Sequence, residues 1–137
     1  FNGEVTNRGD TDISFSPNLI SSVRFNYNPK KDLNISILNK FVGDQYMSNT
    51  ESVVSKLSSY STTDLNFIYS FKKSKYFNEI IFTVMLNNIF NKEYVSNGYY
   101  YTYDDTWSDP DIVTTIEGTG YYPQAKRNFL IGFTFKL

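Results

Sequence analysis

The stretch "RNFLIGFTFKL" (127–137) ends the chain and alternates to its final residue. Phe129, Ile131, Phe133, Phe135 and Leu137 fall on one face of an extended strand, and Leu130, Gly132, Thr134 and Lys136 fall on the other. Chain ends usually fray unless something ties them down, so an apolar face carried to the last residue needs a surface to meet.

The same period of two recurs upstream, whereas helical periodicity hardly appears. A first strand is predicted over 18–28, with Leu19, Val23, Phe25 and Tyr27 facing one way and Ile20, Ser22, Arg24 and Asn26 the other. A short turn at 29–32 leads to a second strand over 33–46, where Leu33, Ile35, Ile37 and Phe41 oppose Asn34, Ser36 and Lys40. A Ser/Thr-rich loop follows over 47–62, in which Val53, Val54 and Leu57 suggest at most one helical turn. The third strand, over 63–72, sets Leu65, Phe67, Tyr69 and Phe71 against Asn66, Ile68, Ser70 and Lys72. The fourth, over 78–94, sets Ile80, Phe82, Val84, Leu86 and Phe90 against Thr83, Met85 and Asn87. The longest connection, 95–121, holds Gly98, Gly118, Gly120, Pro110 and the Tyr99-Tyr100-Tyr101 triplet. The last strand then opens near Tyr122-Pro123, proline being tolerated where a ladder starts. This gives one domain of five long strands with no interdomain linker.

Composition narrows the function. The chain has 137 residues, net charge −1, no cysteine and no histidine. Disulfides, thiol chemistry, common zinc sets, serine triads and the usual general base near neutral pH are all removed. No enzyme is expected, and no cofactor. Twelve Tyr, twelve Phe and one Trp sit in a chain that is nonetheless polar overall. No apolar run approaches the ~20 residues of a transmembrane helix. The chain opens on Phe1-Asn2-Gly3-Glu4 with no signal peptide or initiator methionine, as a mature product or a fragment would.

Two architectures give strands one apolar and one polar face: a sandwich wet on one side, and a transmembrane barrel with lipid outside. Long strands favour the barrel, since ~9–11 tilted residues cross a bilayer and ordinary strands average ~5–6. Connections alternate short and long, as the two rims of an outer-membrane barrel do. Aromatics gather near strand ends, at Tyr27, Tyr46, Tyr69, Phe71, Tyr94, Tyr121 and Tyr122, where interfacial girdles sit. The terminal strand then reads as the seam of a barrel. Five strands cannot enclose a lumen, because the smallest membrane barrels have about eight. The expected fold is therefore an antiparallel transmembrane β-barrel portion, the carboxy-terminal part of something longer.

Two segments resemble a known family. "LNNIFNKEYVSNGY" (86–99) and "GYYPQAKRNFLIGFTFKL" (120–137) are similar to the closing hairpin of TonB-dependent outer-membrane receptors. In that family an Asn-Leu-Phe-Asn-Lys-x-Tyr stretch ends the penultimate strand; Asn88, Phe90, Asn91, Lys92 and Tyr94 match it, with Ile89 in place of Leu. Pro123, Arg127 and Asn128 match the Tyr-Pro-x-x-x-Arg-Asn segment that opens the last strand, and "KFVGDQYMSN" (40–49) resembles an upstream strand. The likeness covers most of the chain from about Pro17 onward. The family usually ends in Phe, where this chain has Leu137, a change in the signal read by the barrel-assembly machinery. The resemblance implies a 22-stranded barrel around an amino-terminal plug in the Gram-negative outer membrane. Such a receptor imports iron chelates, cobalamin or glycans with energy relayed by an inner-membrane complex. Its implied partners are outer-membrane lipid, the remaining strands and the plug, with long loops extracellular and short turns periplasmic.

Other constellations carry less. Tyr99, Tyr100, Tyr101, Tyr103 and Trp107 could stack on a ligand or simply pack loops together. Asp104, Asp105, Asp109, Asp111 and Glu117 are oxygen donors suited to Ca²⁺, but without the spacing of a 12-residue calcium loop. Lys30, Lys31, Lys72, Lys73 and Lys75 are read as solvated turn lysines, so nucleic acid is not an expected partner. Nothing brings Asp12 and Asp64 together as a glycosidase pair. The competing function is a soluble all-β glycan- or ligand-binding module built on the tyrosine-rich loop.

Overall fold

The computed structural model describes residues 7–72, 76–109 and 111–137; Phe1-Asn2-Gly3-Glu4, Lys73, Lys75 and Pro110 lie outside them. Its strands are β1 (Ile20–Lys30), β2 (Leu33–Val42), β3 (Gln45–Tyr46), β4 (Lys56–Leu57), β5 (Tyr60–Lys72), β6 (Glu79–Asn87), β7 (Val95–Asp105), β8 (Thr114–Pro123) and β9 (Asn128–Lys136). A 3-10 turn, Val53–Ser55, separates β3 from β4. The protein is all-β: among the described residues there is no α-helix, and every strand pair is antiparallel.

The chain forms two compact units. The first comprises Leu19–Val42, Tyr60–Glu93 and Ala125–Leu137. It is one five-stranded sheet of order β1-β2-β5-β6-β9, open at both edges, where β1 and β9 lie. Pro29, which cannot donate to a ladder, falls in the edge strand beside the register shift between Tyr27 and Lys30. Strands of 11, 10, 13, 9 and 9 residues run the full height of this sheet. The register pairs β6 with β9 from Glu79 opposite Lys136 to Asn87 opposite Asn128, as the alternation of the terminal stretch required.

The second unit comprises the described part of Phe1–Asn18 together with Gly43–Ser59 and Tyr94–Gln124. Its main element is the β7–β8 hairpin, in register from Gly98 opposite Tyr121 to Asp105 opposite Thr114. Two-residue strands β3 and β4 flank the 3-10 turn, which Ser52 caps by accepting from the Val54 N–H at 3.3 Å. Met47, Leu57 and the fully enclosed Ser55 form the small core here, and Gln45 Nε2 donates to the Ser96 carbonyl at 3.3 Å.

Several boundaries differ from the sequence reading. The second strand stops at Val42, because Asp44 turns the chain by accepting from Ser59 N–H at 2.6 Å and pairing with Lys56 at 2.8 Å. Gln45–Tyr46 then belongs to β3. The fourth strand stops at Asn87, not Tyr94, since Asn88 and Asn91 adopt left-handed φ values of 51° and 54° that no strand accommodates. Phe90 consequently leaves the apolar face and stands exposed in the turn. Most of 95–121 is not a loop but the β7–β8 hairpin; Gly118 and Gly120 hid its second strand, glycine being a poor strand former. Pro123 ends β8, and the last strand opens at Asn128 and closes at Lys136, one residue before Leu137. Leu19 likewise precedes β1, and the third strand begins earlier, at Tyr60.

Asn88 fixes the turn after β6. The residue is 4% exposed, its side chain accepting from Lys92 N–H at 2.9 Å and donating to the Lys92 carbonyl at 2.8 Å. Its own N–H donates to Asp64 Oδ1 at 2.8 Å, and the neighbouring Ile89 N–H donates to the Thr63 carbonyl at 2.9 Å. Asn91 Oδ1 accepts from Arg127 N–H at 3.0 Å, tying the same turn to the entry of β9. The Asn-rich motif is thus a built corner. Asn suits it because its short amide satisfies backbone groups while tolerating the left-handed region.

Candidate functional site

Registers within the five-stranded sheet align its apolar residues in rows across the strands. One row is Phe25, Ile37, Leu65, Leu86 and Phe129; the next is Tyr27, Ile35, Phe67, Val84 and Ile131. Leu33, Tyr69, Phe82 and Phe133 form a third, and Phe71, Ile80 and Phe135 a fourth. Every member is aliphatic or aromatic, except at the β1 edge of the third row, where Lys30 lies opposite Leu33. Neighbouring rings touch, Phe82 and Phe133 at 5.0 Å and Phe67 and Phe82 at 6.2 Å between centroids, and Tyr69 meets Phe71 edge-on at 4.4 Å. The apolar band ends where Asn39 appears on this face, its amide donating to Thr63 Oγ1 at 2.9 Å and Ser61 Oγ at 3.1 Å.

Among the described residues no second layer covers this face within its unit, which is one sheet. Phe133 remains 59% exposed and Phe25 65%. From strand and residue spacings the band is roughly 25 Å square with side-chain width included, on the order of 600 Å² in projection. Leaving that in water costs about 15 kcal/mol at ~25 cal/mol per Å², as much as a whole domain's stability. It also reaches the upper limit of apolar patches on soluble monomers, ~300–600 Å². The opposite face mixes polar residues among apolar ones: Ser36 at 6% exposure, Asn87 donating to Asn128 at 2.9 Å, and Lys136 bonded to Glu79 at 2.6 Å. Phe129, Ile131, Phe133 and Phe135 therefore share the apolar face as the alternation required, with Thr83 and Thr134 on the other.

The aromatic hairpin separates the five candidate ligand residues. Tyr99, Tyr101 and Tyr103 share one face of β7, joined by Tyr122 from β8 with its ring 6.1 Å from that of Tyr99. Tyr100 points to the opposite face, where its hydroxyl donates to Glu117 Oε1 while Ser52 Oγ donates to Oε2 at 2.9 Å. The Tyr100 hydroxyl, then Ser52, with a smaller contribution from Arg8, holds the Glu117 carboxyl below its ordinary range. Trp107 stands at the hairpin tip, 93% exposed and outside the strip. Tyr99 lies opposite Gly120 and Tyr101 opposite Gly118, where a Cβ would sit 2.3 Å and 2.4 Å from the respective ring Cζ. Cζ is nearest while the hydroxyl and Cε1 are only slightly farther, so each ring lays its face, not its edge, on its glycine. Centroids are 6.3 and 6.4 Å apart with planes within 23° and 14°, too distant for face-to-face stacking. The tyrosines therefore lie side by side as a pavement. Sequence reading missed the glycines' part in it, although their spacing at every second position opposite a Tyr-x-Tyr-x-Tyr run was a usable signal.

Acidic residues at the tip are engaged locally. Asp105 accepts from Ser108 Oγ at 2.6 Å, from Trp107 N–H at 2.9 Å and from Ser108 N–H at 3.3 Å; the Ser108 hydroxyl, then the two backbone donors, lowers its pKa. Asp104 accepts from Thr115 Oγ1 at 2.9 Å, and Asp109 from Asp111 N–H at 3.2 Å. Among the described residues no three acidic groups gather as metal ligands.

Compared with protein-family models, curated proteins and solved structures, the chain gives no match.

Proposed function

We propose that this chain supplies five neighbouring membrane-spanning strands of a TonB-dependent outer-membrane receptor, with β9 as the strand that closes its barrel. The observation that carries the reading is the unbroken apolar face of the five-stranded sheet. Lipid answers the cost of that face, and strands of 9–13 residues suit a tilted crossing. The open edges at β1 and β9 require further strands, because unpaired backbone in hydrocarbon costs several kcal/mol per group. Those strands and a plug would come from the rest of the same receptor, placed in a Gram-negative outer membrane by the barrel-assembly machinery. The plug would engage the inner-membrane energy-coupling complex. In this reading β7–β8 is an extracellular hairpin that meets an imported iron chelate, cobalamin or glycan, and the turn at 31–32 is periplasmic.

The test is the chain's behaviour without detergent. It should associate in plain buffer and become monodisperse in micelles or lipid vesicles, with Phe133 shielded from aqueous quenchers by lipid. A sharp monomer with cooperative melting in plain buffer refutes the membrane assignment and leaves the soluble binding module.

A further inference from the structure

We propose that the strip Tyr99, Tyr101 and Tyr103 is a carbohydrate platform that takes a linear, uncharged oligosaccharide. The inference deepens the receptor reading and rests on it only for the sugar's being cargo; binding itself belongs to the hairpin's unit.

The geometry presents a broad aromatic surface, since Gly118 and Gly120 let two rings lie down and the plane of Tyr103 runs within 14° of that of Tyr101, whereas Tyr122 tilts 53° from Tyr99 beside them. One face of a pyranose ring carries C–H hydrogens of slight positive charge, which are drawn to the negative face of an aromatic ring. Centroid steps of 6.3 and 6.4 Å are close to the size of one sugar ring, so successive sugars can each cover a tyrosine. Tyr101 is 50% exposed, which leaves its outer face open. Among the described residues, the hydroxyls of Tyr99, Tyr101 and Tyr103 bond to no protein group, in contrast to that of Tyr100. They remain available to a ligand rich in hydroxyls. Charge selects further: 95–121 holds Asp104, Asp105, Asp109, Asp111 and Glu117 and no Lys or Arg. An anionic chelate or a phosphate would be repelled there, whereas an uncharged sugar is not and can hydrogen-bond with the tyrosine hydroxyls.

The chain in detergent micelles is titrated calorimetrically with a panel of linear hexasaccharides of glucose, mannose, xylose and galactose in different linkages. Hexagalacturonate and a ferric tris-catecholate serve as anionic controls. At least one neutral hexasaccharide should bind saturably, and more tightly than either anion. Tyr101→Ala should weaken it about tenfold or more, and Gly118→Ala should do likewise by lifting the ring while keeping every hydroxyl. Thr102→Ala, on the opposite face, should leave binding unchanged. Failure of every neutral hexasaccharide, tighter binding of an anion, or indifference to both Tyr101→Ala and Gly118→Ala overturns the proposal. Detergent dependence is read separately on the same samples. A chain that is monomeric without detergent yet binds sugar through Tyr101 refutes the membrane reading alone. One that needs detergent but ignores neutral sugars refutes this inference alone.

Discussion

Replacing Asn88 by alanine should unfasten the corner between β6 and β9. The side chain makes two short backbone hydrogen bonds, to Lys92 N–H at 2.9 Å and the Lys92 carbonyl at 2.8 Å. Each contributes about 0.5–1.5 kcal/mol net, and the buried setting of Asn88 favours the upper half of that range. Alanine must also hold φ near 51°, a region that costs a residue with a Cβ about 1–2 kcal/mol and that Asn relieves by local hydrogen bonding. The expected loss for Asn88→Ala is therefore about 3–5 kcal/mol. Asn88→Gly gives up the same two bonds without the backbone penalty, so it should cost about 1 kcal/mol less than alanine. Urea titration of the chain in lipid vesicles reads both. With m near 2 kcal/mol per molar, alanine moves the midpoint down by roughly 1.5–2.5 M, and glycine falls between alanine and the parent. A midpoint for alanine within about 0.3 M of the parent, or glycine falling below alanine, would refute the view that this asparagine holds the turn.

Arginine at Phe133 should cost about 2–4 kcal/mol if that face meets the bilayer midplane, while arginine at Thr134 should be far milder; equal damage points to protein on both faces. For Glu117, whose carboxyl is held ionised by Tyr100 and Ser52, the folded pKa lies below the unfolded one. Its stabilisation is thus complete above the ordinary glutamate range, about 4.3, and disappears as pH falls through the depressed folded value. Tyr100→Phe should bring the Glu117 titration, followed by carboxyl NMR, back toward that range, and an unchanged titration removes the phenol as the cause. Gly120→Ala should destabilise the hairpin by about 1–3 kcal/mol in the same urea assay, because the added methyl meets the Tyr99 ring; a neutral result means the ring moves aside freely.

Much of the sheet was legible in one dimension because its side-chain period is two and its apolar face is uninterrupted. Phe129, Ile131, Phe133 and Phe135 announce β9, and Phe82, Val84 and Leu86 announce its partner, without reference to anything distant. Strand class, rough strand positions and which residues share a face follow from that local rule. Strand ends did not, since they depend on side chains that act across the chain: Asp44 reaching Ser59 and Lys56, Asn88 reaching Lys92 while taking Asp64 as partner. The β7–β8 hairpin was obscured for a related reason. Gly118 and Gly120 weaken a strand judged alone, yet opposite Tyr101 and Tyr99 they are the floor on which the rings lie. Only tertiary structure could also divide the tyrosines. Adjacent residues in a strand point to opposite faces, but which face is tied to Glu117 and which stays open is decided by the register with β8 and by Ser52, 65 residues before Glu117 in the chain.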